Sequence, residues 1–594
     1  MNTKKNEKRI PLMKHQVVLY DPGTKRWMRF DNPLRILQAD SIGEVLPCLR
    51  ELEKSVQTEG LYAAGFLSYE AAPAFDDALL AKSPSPFPLL WFGLYPEPEM
   101  LETIPFGNSS SYNLGELIQS IGIEDYEQTI DRIKEYIAAG DTYQVNYTIR
   151  LNTTFNGDPQ ALFHNLVKAQ HEGYSAYVET GRYTICSASP ELFFRLDGTT
   201  LTSRPMKGTA ARGRNVAEDK VQADWLFNSE KNRAENIMIV DMIRNDMGRI
   251  ADIGSVRVSS FFDIERYPTL FQMTSSVTSE TGAAFPEILR ALFPCASITG
   301  APKARTMEII SELEPTPRRI YTGSIGFLAP DRTAQFNVAI RTMLIDTETA
   351  TAEYGFGGGI VWDSDSDAEF EECQVKAQIL KQDVVEFSLL ETMLWTPGDG
   401  FFLRDYHLRR LESSAVYFGY DIDMDKIVKQ LEHTAESLSG TEEPHKIRFL
   451  VSRDGDISCE SSPLDDLNES DDVRIRLSAE PVDSQSIYLY HKTTHRKIYN
   501  AAKSSCPECD DVLLYNERGE ITESCIANVF LKMNGELVTP PVDSGLLAGT
   551  YRAWMLDNGS VKEKVITVDE LKNANEIYLA NSVRKLRKAV FIND

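Results

Sequence analysis

Several things are scarce in this sequence, and each scarcity removes a class of protein. No uninterrupted apolar run in its 594 residues reaches the roughly 20 residues that span a bilayer. The opening MNTKKNEKRI lacks the apolar stretch of a secretory signal. A cytoplasmic location is therefore expected, with no membrane partner. Cysteine is sparse: eight residues, scattered rather than framed in pairs. That excludes a small disulfide-stapled scaffold and leads us to expect free thiols. Lys and Arg total 62 against 88 Asp and Glu, for a net charge of −26. No long basic stripe is present, so nucleic acid is not an expected partner. An anionic small molecule would need a locally basic pocket. Repeats of solenoid period and low-complexity tracts are also missing.

What remains is the composition of a soluble globular chain, too long for one hydrophobic core and sized for roughly two to four domains. The stretch 97–125, rich in Pro, Gly and Ser, reads as an internal boundary. A helix follows, with Tyr126, Ile130, Ile133 and Ile137 at helical spacing, Asp125 and Gln128 resembling a capping box, and Gly140 at its stop. The main junction falls near 380–388, between the helical AEFEECQVKAQILKQ and the strand-like VVEFSLLETMLW. The expected domains are 1–115, 116–382 and 383–594.

Between 120 and 380, acids and bases occupy positions a packed core would not tolerate unpaired. EKNRAENIMIVDMIRNDMGRI reads as a long helix that gives Glu235 a rigid platform. Glu369, Glu372 and Lys376 stand at i, i+3 and i+7 of a second helix, on one face. Two facing acidic helices would suit a hard cation such as magnesium, which takes a few carboxylate oxygens plus water and substrate oxygens. For either helix alone the bland reading is a solvated charged face. SRPMKGTAARG, SITGAPKARTME, YTGSIGF and YGFGGGIVWD are Gly- and Thr-rich turns able to bring backbone N–H groups close to an anion. Each alone is a weak signal.

In order, DTYQVNYTIRL, SASPELFF, RPMKGT, RAENIMIVDMIRND, ITGAPKARTMEII, YTGSIGF and GGGIVWDSDSDAEFEE resemble the chorismate-using enzymes, a family that includes anthranilate synthase, isochorismate synthase and aminodeoxychorismate synthase component I. The resemblance implies a two-sheet core with surrounding helices. It implies that Glu235 and Glu372, with Glu369 beside them, hold magnesium on the ring carboxylate. Arg341, Tyr321, Gly357, Gly358 and the turns at Thr299 and Gly323 would seat chorismate. Lys207 matches the lysine of the aminodeoxychorismate enzymes that attacks the ring before ammonia displaces it; anthranilate synthases carry alanine there. The bland reading of Lys207 is a charge that pairs with a substrate carboxylate. Gln144 stands where the isochorismate and salicylate synthases have a lysine that activates water, so ammonia is the expected nucleophile. Gln272 replaces the histidine frequent in the family, and an amide is no general acid. Another group would have to assist the leaving hydroxyl. The first hundred residues look like a shortened amino-terminal half, without the LLES motif of tryptophan binding.

No cysteine has the elbow and partnering histidine of a glutaminase, so a separate glutamine amidotransferase is the expected partner.

Residues 385–594 carry a second set of polar signals. FLRDYHLRRLESSAVYFGY is an amphipathic helix with Leu408, Leu411, Ala415 and Phe418 inward and Arg410 on another face. Lys492 follows an apolar strand, and GLLAGTYR is a Gly-rich turn into a helix, where backbone N–H groups favour phosphate. A lone lysine beside a strand is ordinarily a surface residue. The order HLRRL, HKTTHR, TESCIANVF, GLLAGTYR and LANSVR, however, resembles the class IV pyridoxal-phosphate family of transaminases and aminodeoxychorismate lyase. That resemblance implies a two-subdomain fold and a homodimer. Lys492 would bond the cofactor aldehyde, Glu523 pair with its ring nitrogen, and Arg410, Thr550 and Ser582 hold its phosphate. Thr392, in LLETMLW, matches an assisting threonine. The hairpin usual before this motif is nearly absent, a departure that bears on lyase activity. Cys506 and Cys509 form a lone CxxC, a poor zinc site without a second pair. DSDSD at 363–367 reads as a helix cap rather than a calcium loop.

The whole is expected to be a multidomain α+β protein that aminates chorismate to aminodeoxychorismate and then eliminates pyruvate from it, yielding 4-aminobenzoate, a folate precursor. Two rivals stand beside it: anthranilate synthesis with an attached class IV aminotransferase, and a non-catalytic scaffold that activates a glutaminase.

Overall fold

The structure, a computed structural model, describes residues 15–82, 86–107, 111–170, 173–377, 380, 385–464 and 472–592, the side chains of 373–377 excepted. The chain forms two compact units, Met1–Ala211 with Ala223–Val384, and Arg212–Gln222 with Val385–Asp594. The expected junction at 380–388 includes residues 381–384, and the expected acidic face includes the Lys376 side chain; both lie outside the described residues.

The first unit contains two large antiparallel sheets. One runs from Gly300–Ala301 through Gln144–Gly157, Thr351–Ile360, Thr342–Asp346, Tyr183–Ser189, Tyr174–Thr180, His15–Asp21 and Arg26–Asp31 to Glu99–Leu101. The other runs from Met206–Ala211 through Leu270–Glu280, Thr200–Arg204, Leu192–Asp197, Ala334–Val338, Ser324–Leu328, Tyr62–Leu67 and Leu90–Tyr95 to Arg35–Ala39. Val17, Phe30, Val178 and Ile185 of the first sheet pack with Phe66, Trp91, Ile325 and Phe327 of the second in one buried cluster. The two sheets thus share an apolar layer, as alternating strands require. Helices cover the outer faces: Ile123–Ala138, Pro159–Gln170 and Lys303–Leu313 over the first sheet, and Ile42–Glu59, Glu230–Gly248 and Phe285–Leu292 over the second.

In the first unit two expectations differ from what is found. The helix expected from Asp125 begins at Ile123 after Gly122, so Asp125 lies in its first turn, where a carboxylate favours the helix dipole, and is not a cap. The stretch 97–125 separates no sheets. His15–Asp21 pairs with Tyr174–Thr180, and Tyr62–Leu67 with Ser324–Leu328, so strands from both sides of it share each sheet.

In the second unit, a four-stranded antiparallel sheet ordered Gly400–Phe401, Leu389–Thr396, His445–Val451, Ile457–Pro463 is backed by helices Arg404–Phe418 and Met424–Ser437. A mixed sheet of eight strands includes Val473–Leu477, Asp511–Tyr515, Ile521–Ser524, Asn528–Met533, Glu576–Asn581 and Lys585–Phe591. Cys506 and Cys509 are disulfide-bonded rather than free thiols, because the turn between them brings their Cα atoms to 5.6 Å. Asp365 does act as a cap: its Oδ1 accepts the Ala368 N–H at 3.0 Å. Among the described residues no helix is long and apolar enough to cross a membrane.

One buried ion pair ties the helix layer of the first unit to its sheet. Arg318 donates to both oxygens of Glu314, at 2.9 and 2.6 Å, and to the carbonyls of Asn146 and Ile298. Both side chains are almost fully enclosed. Removing one partner of such a pair leaves an uncompensated charge. Glu314→Ala is expected to destabilise the first unit by about 3–5 kcal/mol, read as a lowered midpoint of its unfolding transition in urea.

Candidate active sites

The first unit encloses a cavity of about 590 Å³ bordered by Lys207, Glu235, Glu369, Glu372, Tyr321, Arg341, Gly357 and Gly358. Two strands and two helices supply most of them. Lys207 comes from the edge strand Met206–Ala211. Glu235 projects from the helix Glu230–Gly248, whose first turn is capped by the Ser229 side chain accepting from the Asn232 N–H. Glu369 and Glu372 come from the helix Ser366–Ala377. The floor is the strand Thr351–Ile360, where glycines leave room for neighbouring side chains. A Cβ on Gly355 would come within 2.2 Å of the Tyr321 ring, and one on Gly359 within 2.7 Å of Gln144 Nε2 and 2.8 Å of Lys207 Nζ. The Arg150 guanidinium lies 5.0 Å from the centroid of the Tyr321 ring, so packing holds that ring from more than one side.

Not every expected residue reaches the cavity wall. The Thr299 hydroxyl is committed to the carbonyls of Cys295 and Ala296, and its neighbours Ser297 and Ile298 line the wall instead. Gly323 packs against the backbone of Leu67, whose carbonyl oxygen a Cβ would approach to 2.3 Å; its role is close packing. Gln144 is fully buried just behind Gly359, with neither amide atom hydrogen-bonded among the described residues.

The electrostatics of this cavity centre on a residue that sequence reasoning passed over. Glu191, in the strand-entry PELFF, lines the cavity and is almost fully buried. Burial lifts its pKa to about 7, against the opposing effects of Ser297, Lys207 and the Met206 N–H. One signal for it was present in the sequence: a carboxylate within an otherwise apolar run. Burial also raises Glu235, with Glu372 adding to the rise and Lys207 and Lys231 opposing it. Among the described residues, the oxygens of Glu235, Glu369 and Glu372 do not all converge within 4.8 Å. A hard cation here fits the donor type, and would complete its shell with substrate and water oxygens. Arg341 Nη1 is buried without a hydrogen-bond partner, as a group reserved for a ligand anion would be. Gln272 donates to the Gly208 carbonyl at 2.9 Å and accepts from Thr209, so at the cavity wall it braces the strand that carries Lys207.

The second unit encloses a cavity of about 390 Å³ that brings together Lys492, Thr392, Arg410, Glu523, Thr550 and Ser582. Burial, aided by Arg410 and Arg496, lowers the Lys492 pKa to about 8, with Glu391 and Glu523 opposing. Burial lifts Glu523 to about 7, although its carboxylate accepts from Tyr499 Oη at 2.8 Å and from the Leu547 N–H at 3.1 Å. Arg410 is held by Glu391 through bonds of 2.8 and 2.6 Å, and Glu391 also meets His407 Nδ1 at 2.6 Å. Burial opposes charge on Glu391, but Arg410 and His407 prevail and bring it down to about 2. Thr550 opens the helix Thr550–Asp557. A buried carboxylate, an amine of lowered basicity, a fixed guanidinium and a helix N-terminus form a donor set that fits a phosphorylated pyridine aldehyde. Glu391, His407, Tyr499 and Asn528 were missed, since nothing in a linear sequence ties them to Arg410 or Glu523.

A family model described as chorismate binding enzyme matches residues 14–382, and one described as amino-transferase class IV matches residues 388–590. Aminodeoxychorismate synthase component 1 of Bacillus subtilis (strain 168) is 41% identical over 276 residues, covering 46% of this chain and 57% of that protein. The protein of that name from Escherichia coli (strain K12) is 42% identical over 265 residues, covering 44% and 57%. The chain thus spans little more than half the length of these relatives. Anthranilate synthase component I from Streptococcus pneumoniae TIGR4 superposes with a TM-score of 0.53 at 23% identity, over 64% of this chain and 95% of that one, a likeness of fold.

The raised pKa of Glu191 has a stability consequence of definite sign. Between the ordinary glutamate range and about 7, the folded state keeps a proton that the unfolded chain releases, so this contribution is fully present at low pH and lost as pH rises through about 7. Glu191→Gln is expected to flatten that part of the stability–pH curve, measured by urea unfolding at a series of pH values.

Proposed function

Because the chain belongs to the chorismate binding enzyme family, we propose that its first unit aminates chorismate to 4-amino-4-deoxychorismate, and that its second releases pyruvate from that product to leave 4-aminobenzoate. One observation carries the reading. Each of two cavities on one chain opposes a lysine to a buried glutamate whose proton affinity is raised to about 7.

In the first cavity, Lys207 would add its amine to the substrate ring. The departing hydroxyl leaves as water with the proton of Glu191, an acid whose pKa lies where proton donation at neutral pH is efficient. Ammonia then forms the new ring C–N bond and releases the lysine. Arg341 and Tyr321 seat the substrate, and Gln144, unable to activate water, leaves the site to ammonia. Glu235, Glu369 and Glu372 would hold magnesium, which supplies charge that steadies the ring carboxylate. A glutamine amidotransferase is the source of ammonia consistent with the lack of a glutaminase cysteine in this sequence.

In the second cavity, pyridoxal phosphate when bound supplies an electron sink. Lys492 would hold its aldehyde carbon, Glu523 its ring nitrogen, and Arg410, Thr550 and Ser582 its phosphate. Once the substrate's amine has taken its place there, the freed Lys492 amine, with a pKa of about 8, would be a base able to take the proton from the amine-bearing ring carbon. Thr392, in the same cavity, would assist the departing enolpyruvyl group.

The test supplies the purified chain with chorismate, magnesium, ammonium and pyridoxal phosphate and identifies every product. 4-Aminobenzoate and pyruvate are expected. Lys492→Ala should accumulate aminodeoxychorismate, and Lys207→Ala should lower amination by at least about a hundredfold. Anthranilate as the aromatic product would refute the assignment.

A further inference from the structure

The second unit is discontinuous: it includes Arg212–Gln222, a piece of sequence inside the chorismate match and far outside the class IV match, which begins at residue 388. This piece meets the rest of its unit through backbone carbonyls. The Gly213 carbonyl accepts from Tyr417 Oη at 2.7 Å, and the Arg214 carbonyl faces His491 Nε2 at 3.1 Å. Its side chains are equally committed. Arg212 donates to Asp219 and to the Tyr417 carbonyl, with its guanidinium 4.4 Å from the Tyr417 ring. Arg214 donates to Tyr490 Oη at 2.7 Å and to Asp543 at 2.5 Å, and is braced by Glu218.

One of these contacts reaches His491 directly and others reach Tyr417, on whose ring His491 stacks; His491 directly precedes Lys492. A carbonyl oxygen can only accept, so its partner nitrogen Nε2 must carry the proton. Nδ1, 3.0 Å from Ser414 Oγ, is then the acceptor of the hydroxyl proton in the neutral ring. Burial keeps the ring neutral, lowering its pKa to about 4, with the Arg214 carbonyl opposing and Arg212 reinforcing. The ring is further stacked on Tyr417 at 4.3 Å between centroids. Ser414 lies one turn beyond Arg410 on the helix Arg404–Phe418. On the other side of Lys492, its own carbonyl accepts the Leu390 N–H at 2.9 Å. The lysine backbone is thus pinned on one side by Leu390 and on the other by a histidine of fixed tautomer.

We propose that Arg212–Arg214 is a working part of the cofactor unit: it sets the tautomer and orientation of His491, a positioning residue that holds Lys492 toward Glu523. This rests on the pyridoxal-phosphate reading above. Surface packing alone would not require two backbone carbonyls to be matched to two buried side-chain donors.

The test uses the full chain and measures pyridoxal phosphate affinity together with the pH midpoint of the visible absorbance of the bound cofactor. His491→Phe keeps the stacking and loses both hydrogen bonds. It is expected to weaken affinity about tenfold, equivalent to ~1.4 kcal/mol, and to move the midpoint by about one pH unit. His491→Gln retains an N–H near the Nε2 position and should restore both to within about twofold, whereas His491→Asn, which reaches only toward Ser414, should not. Arg214→Ala, which loosens the segment without touching His491, should shift both in the same direction as His491→Phe. Wild-type values in His491→Phe or Arg214→Ala, or rescue by Asn in place of Gln, would overturn the inference. A full chain that binds no pyridoxal phosphate would overturn the function proposed for the second unit and this inference with it.

Discussion

Glu191 and Glu523 have been taken out of water with too few hydrogen bonds to keep their charge at its ordinary pH. Each shares its cavity with a lysine, and each lysine pulls the glutamate part of the way back. That balance needs walls dry enough to penalise charge and close enough to let the partner be felt. The two-sheet layer of the first unit and the sheet and helices around Lys492 in the second are what supply those walls. The rest of either site follows from it: the enclosed Arg341 with a free donor, and the guanidinium of Arg410 locked by Glu391.

The same constraint accounts for the glycines. In the strand Thr351–Ile360, Gly357 pairs with Thr148 and Gly359 with Asn146, and the alternate face must admit Tyr321, Gln144 and Lys207 at contact distance. A larger residue would crowd the Tyr321 ring at Gly355 and the side-chain ends of Gln144 and Lys207 at Gly359. Rigidity is distributed in the same way. Lys303 bonds Asp246 at 2.7 Å and the Leu292 carbonyl at 3.1 Å, so the helix that carries Glu235 is tied at its far end to the APKAR segment, with both partners shielded from solvent.

In the second unit, the cavity is built from residues far apart in the chain, and its polar groups act in series. Thr550 meets His407, His407 meets Glu391, and Glu391 holds Arg410. Such a row has each acceptor satisfied by a donor on a different element, so it specifies one arrangement of strand and helices. The short approach to Leu389 does not remove it, since the strand Leu389–Thr396 is fully formed and pairs along its length with His445–Val451.

By itself the sequence determined the chemistry on offer: which lysines and carboxylates occur in apolar or glycine-rich surroundings, the ordered motifs of two families, and helices and strands read from spacing. Lys207, Glu235, Glu372, Lys492 and Glu523 stood out through the ordered motifs that resemble two families, since each taken alone reads equally as a surface charge. Only the tertiary structure decided who faces whom. It set Glu191 opposite Lys207, turned Thr299 and Gly323 to packing, joined Cys506 to Cys509, and placed Arg212–Gln222 in the second unit. The physical reason is that burial and long-range pairing fix a group's proton affinity and orientation, and both depend on elements that a linear pattern cannot bring together.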